Sequence, residues 1–73
     1  MGKSLAEIRI SSGYESQDSL AEAVKCTRSA VAKWENGLSY PATQKLPLLA
    51  RILGVSEGEI IKAITESKKT DSG

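Results

Sequence analysis

Histidine and phenylalanine are absent from the 73 residues, and cysteine occurs once. Without histidine, the commonest general base near neutral pH is missing, and the thiol of Cys26 has no imidazole to activate it. A His/Cys cluster that would hold a metal cannot be assembled. The glutamates are scattered at helix-face spacings and form no evident carboxylate pair. The chain is therefore expected not to be an enzyme, with no catalytic residue, no metal and no cofactor. A single thiol also excludes an internal disulfide, a usage that suits a reducing compartment. Long apolar runs are missing too. The longest, LPLLARILGV, is broken by Arg51 and falls short of the ~20 residues that cross a bilayer. No signal peptide is visible, and in MGKSLA the position that a myristoylation signal reserves for Ser or Thr holds Ala6. These absences lead to the expectation of a soluble cytoplasmic domain without a membrane partner.

Aromatic residues make up 4% of the chain against 40% hydrophobic residues in all, so the core has to be aliphatic. The net charge of +1 does not amount to the strongly basic footprint of many nucleic-acid binders, and any basic surface must be local. The length suits one domain, which buries only about 60% of its unfolded surface and so must use its apolar residues economically. The expected domain covers residues 1–67, followed by a polar, frayed tail over 68–73.

What is present is helix punctuation. Ser4 and Glu7 form an S-x-x-E capping box that opens a helix from about Leu5 to Ser11, with Leu5 and Ile8 on one face and Gly13 as the left-handed residue after it. Ser16 is placed to cap a second helix, QDSLAEAVK, that turns Leu20, Ala21 and Val24 inward, with Asp18 complementing the dipole. Thr27 caps a third, RSAVAKWEN, whose apolar stripe is Ala30, Val31 and Trp34 and which Asn36-Gly37 closes. Pro47 is tolerated only in a first turn, so a fourth helix starts at about Gln44 to Leu46, faces Leu46, Leu49, Ala50 and Leu53 inward, and ends at Gly54. Ser56 and Glu59 make a second box, opening a fifth helix that carries Ile60, Ile61 and Ile64. The pattern predicts a compact all-α fold of five short helices.

Only a few residues separate the second helix from the third, which predicts a pair crossing at ~90–120°, the helix-turn-helix unit. Ala21 lets the two approach closely. With Val31 and Trp34 inside, the third helix presents Arg28, Ser29, Ala32 and Lys33, a narrow and mildly basic face suited to a major groove about 12 Å wide. Arg28 fits guanine O6 and N7 bidentately, Ser29 bonds either kind of base, Ala32 meets a thymine methyl, and Lys33 suits a base acceptor or a phosphate. Gln17 in the first turn of the second helix, and Thr27 at the start of the third, are placed to hold phosphates.

The run SQDSLAEAVKCTRSAVAKWENG, followed by PATQKLPLLARILGVSEGEI, resembles the Cro/repressor-type, or XRE-like, helix-turn-helix family. The resemblance spans about Leu5 to Ile64. It rests on the S-Q-x-x-L-A opening, the S-x-V-x-x-W-E-x-G helix, the loop proline and the L-A-x-x-L-G-V-S ending, in order and at matching spacings. It implies a lambda-repressor-like five-helix domain that acts as a dimer on a palindromic, double-stranded DNA operator. It also implies base reading by Arg28, Ser29 and Lys33, with Ala32 beside them, and phosphate contacts from Gln17, Lys25, Thr27, Asn36 and the loop residues Ser39 and Tyr40. An arginine late in the first helix pairs in this family with the glutamate of W-E-x-G, which implies an ion pair between Arg9 and Glu35. Three departures stand out. The loop GYES is one residue longer than the common form. Lys25 stands where the family often has glycine, so either the turn differs or Lys25 takes a left-handed conformation. Leu38 and Tyr40 stand where relatives often carry basic residues, and are alternatively dimer contacts.

Plainer roles exist for several of these residues. Arg28 and Lys33 are alternatively solvated charges. Cys26 falls where the turn needs a small apolar residue facing inward, and Trp34 reads as a core anchor. The sequence is thus expected to encode a sequence-specific transcription regulator, most simply a bacterial or phage repressor. The competing function is a helix-turn-helix module that binds a regulatory protein partner, with weak DNA affinity.

Overall fold

The computed structural model describes residues 3–71, with side chains through residue 67. Its elements are α1 (Leu5–Ser11), α2 (Gln17–Ala23), α3 (Arg28–Glu35), α4 (Leu46–Leu53) and α5 (Glu57–Asp71), and no strand occurs among the described residues. The ends of these helices follow from local chemistry. At α1, Glu7 N–H donates to Ser4 Oγ while Ser4 N–H donates to Glu7 Oε1, at 3.2 and 2.9 Å. The same reciprocal exchange joins Ser56 and Glu59 ahead of α5, at 3.1 Å in both directions. A third exchange joins Ser16 and Ser19 at the start of α2. Each satisfies backbone donors that the first turn leaves without a helical partner. Pro47 lies in the first turn of α4, where its missing N–H is harmless.

The core is aliphatic apart from one indole. Leu5 and Ile8 from α1, Leu20 and Ala21 from α2, Val24 after it, Val31 and Trp34 from α3, Leu49 and Leu53 from α4, and Ile60, Ala63 and Ile64 from α5 are all buried. Trp34 is 4% exposed, so its role is anchorage. The face of α5 differs by one residue from the expected one. Ile61 is half-buried and Ala63 takes the inward position, because residues 60, 63 and 64 share a helix face while residue 61 lies about 100° round the axis from residue 60. α5 also continues to Asp71, into the segment expected as a polar tail; no glycine or proline occurs between Gly58 in its first turn and Gly73. Residues 1, 2, 72 and 73 lie outside the described ones, and with them the start of the MGKSLA segment and the end of the tail.

α2 packs chiefly on α3, α4 packs on α5, and α1 and α3 both rest on α5. The turn between α2 and α3 is made possible by Lys25, whose φ is +58°, so the left-handed conformation is the alternative realised. For a residue with a Cβ this conformation costs roughly 1–2 kcal/mol. Lys25→Gly is therefore expected to raise stability by up to about 1 kcal/mol, the remainder being lost to the greater freedom of glycine in the unfolded chain. Chemical denaturation of the two proteins checks this, and a fall in the midpoint would show that the lysine side chain itself holds the turn.

Candidate nucleic-acid interface

The eight residues of α3 divide sharply between inside and outside. Val31 is completely buried and Trp34 nearly so, while Arg28, Ser29 and Lys33 are exposed and Ala32 is half-buried. Positions 28, 29, 32 and 33 occupy one stripe of the helix, opposite the stripe that packs. The small residues Ser29 and Ala32 keep the centre of this stripe low, and the two cations stand at either end of it.

Thr27 starts the helix from outside. Its Oγ1 accepts the Ala30 N–H at 3.1 Å, which leaves the hydroxyl hydrogen free to donate outward. Asn36 is the exposed residue at the other end of α3, and Gly37 follows with φ +73°. Beyond it Leu38 is exposed and Ser39 half-buried. Tyr40 is exposed, and its hydroxyl lies 2.8 Å from Thr65 Oγ1, which ties the loop to α5.

Behind this surface lies a polar junction of three helices. Arg9 Nε of α1 donates to Glu35 Oε2 of α3 at 2.6 Å, with both side chains less than a tenth exposed. Arg9 Nη1 donates to the Tyr14 carbonyl at 2.8 Å, in the connection between α1 and α2. Gln17, the first residue of α2, donates from Nε2 to Glu35 Oε1 at 2.9 Å. Each carboxylate oxygen of Glu35 is thus used by a different helix.

A second clasp holds the turn. Lys45, just before α4, places Nζ 2.8 Å from the Val24 carbonyl and 3.3 Å from that of Lys25. α2 has no basic residue in its own last turn, so a cation from elsewhere in the chain meets the negative end of its dipole. No local pattern in the sequence marks this role, since 21 residues separate Lys45 from Val24. Cys26 packs partly buried beside the same clasp. Burial pushes its thiol up, a tendency that the nearby Lys45 ammonium partly offsets, so near neutral pH it stays a protonated packing group.

Of the residues singled out from the sequence, Arg28, Ser29, Ala32 and Lys33 share one face of α3, and Lys25 and Thr27 flank its start. Gln17 is joined to that helix through Glu35, and Asn36, Ser39 and Tyr40 follow its end. Among the described residues, no helix is long and apolar enough to cross a membrane. A family model described as Helix-turn-helix matches residues 5–60, from the first residue of α1 to the first isoleucine of α5. No curated protein and no solved structure matches the chain significantly.

Proposed function

This chain belongs to the Cro/repressor-type helix-turn-helix family of DNA-binding transcription regulators, and we propose that it is a cytoplasmic, sequence-specific repressor of bacterial or phage origin. It binds a palindromic operator as a homodimer, with α3 of each protomer in the major groove. The observation that supports this most directly is the division of α3. Its apolar stripe is anchored by Val31 and Trp34, and on the opposite stripe Arg28, Ser29 and Lys33 are exposed, with Ala32 half-buried between them.

On this reading Arg28 takes guanine O6 and N7, Ser29 a neighbouring base edge, Ala32 a thymine methyl, and Lys33 a base acceptor or phosphate farther along. Lys25, Thr27 and Gln17 hold the phosphates on one side of the groove, and Asn36, Ser39 and Tyr40 those on the other. These contacts fix register without reading sequence. A dimer places its two reading helices on half-sites about 34 Å apart.

A titration of binding to a duplex against salt tests the electrostatic part. Setting Lys25 and Lys33 of both protomers against phosphates gives an expected slope of log K on log salt of about −4, at about −0.9 for each neutralised phosphate. A slope near zero would contradict a DNA-binding role. One observation favours a second reading, contact with a regulatory protein: Leu38, three residues past the end of α3, is 70% exposed. Salt-insensitive binding to such a partner, together with a flat DNA titration, would select that reading.

A further inference from the structure

We propose that Glu35 is a positioning residue for DNA binding, fixing which end of the Gln17 side-chain amide faces the phosphate backbone. The inference rests on the DNA-binding reading above and adds to it a role for a residue that need not touch DNA.

The two ends of a glutamine amide have nearly the same shape and opposite hydrogen-bonding character. An unconstrained amide presents its oxygen at the surface as readily as its nitrogen, and has to turn its nitrogen outward before it can donate to a phosphate. Here the choice is removed. Glu35 Oε1 lies 2.9 Å from Gln17 Nε2, and a carboxylate offers only acceptors, so only the nitrogen end can face it. Glu35 is itself held in place. Its other oxygen takes Arg9 Nε at 2.6 Å, and Arg9 is fastened in turn to the Tyr14 carbonyl at 2.8 Å. Nε2 carries two hydrogens. One is taken by Glu35, and no other group among the described residues claims the second, which is left for a phosphate oxygen.

Arg9 has a second effect in this arrangement. A bare carboxylate near the DNA backbone would repel it, and the ion pair cancels that charge while leaving Oε1 able to orient Gln17. The same three groups therefore lock α1, α2 and α3 together and aim the first residue of α2.

A double-mutant cycle on duplex affinity at one salt concentration tests the proposal, using wild type, Gln17→Met, Glu35→Gln and the double variant. Gln17→Met is expected to weaken binding about tenfold or more, the range for a hydrogen bond to a charged group. Glu35→Gln, which lets the amide take either polarity, should cost about twofold by halving the correctly oriented population, and the double variant little beyond Gln17→Met alone. A Gln17→Met protein that binds as wild type does, or losses that multiply fully in the double variant, would overturn the proposal while leaving DNA binding intact. A folded wild-type protein that binds no duplex would overturn both. Because Glu35→Gln also disturbs the Arg9 contact, a second measurement uses the wild-type chain alone. In nuclear magnetic resonance spectra, one Gln17 Nε2 proton should be protected from exchange in the free protein, and the other should shift when duplex is added. Equal exchange of both protons, with neither responding to duplex, would overturn the assignment.

Discussion

Replacing Arg9 with methionine is expected to remove about 3–5 kcal/mol of folding free energy, the range seen when one partner of a buried ion pair is deleted. The methionine fills much of the space. The loss comes from what is left behind, a Glu35 carboxylate whose side chain is only 7% exposed and has lost its counter-charge, and a Tyr14 carbonyl without its donor. A domain of this length has roughly 4–11 kcal/mol of stability in all, so the variant should be near the edge of folding. Its melting temperature is expected to fall by more than about 12 °C. Far-ultraviolet circular dichroism during a thermal ramp measures this. A loss below about 1 kcal/mol, the range of exposed pairs, would mean that water screens the junction.

Arg28→Ala is expected to act on the other side of the molecule, with large effects on recognition and almost none on folding. Arg28 is exposed at the first position of α3, where a cation opposes the helix dipole, so removing it should leave stability unchanged or slightly higher. If Arg28 reads a guanine, the variant loses about 1–3 kcal/mol of discrimination at that base pair, about 5- to 150-fold. Competition binding with operators altered at single positions checks this, since the loss should fall on one position per half-site. Lys33→Ala provides the contrast if its contact is to phosphate: binding then weakens for all sequences alike and the salt slope becomes shallower. An Arg28→Ala protein with unchanged preference at every position would remove Arg28 from the reading face.

The parts of this molecule that were legible in the sequence are those decided within a few residues. Ser4 with Glu7, and Ser56 with Glu59, mark helix starts because both partners of the exchange lie in one turn. Gly13, Gly37 and Gly54 mark the ends, each with a positive φ. The stripe of Val31 and Trp34 against Arg28, Ser29 and Lys33 follows from helical period alone. Lys25 was harder to place, since its side chain says nothing of a left-handed backbone. That conformation follows from the turn closing around it, with Cys26 N–H donating to the Ala21 carbonyl at 2.9 Å. The contacts over long separations were not written in any local pattern. The spacing from Gln17 to Glu35 is 18 residues and that from Lys45 to Val24 is 21, and each depends on how helices already formed come together. The Arg9 and Glu35 contact spans 26 residues and was expected only because of the family resemblance.

The reading of α3 as the element that recognises sequence is tested most directly by selecting binders for the wild-type protein from a random duplex pool at one fixed salt concentration. The expected result is enrichment of paired half-sites about one helical turn, ~34 Å, apart, with an invariant guanine in each. Recovery of an unenriched pool by protein that circular dichroism shows to be folded would contradict it.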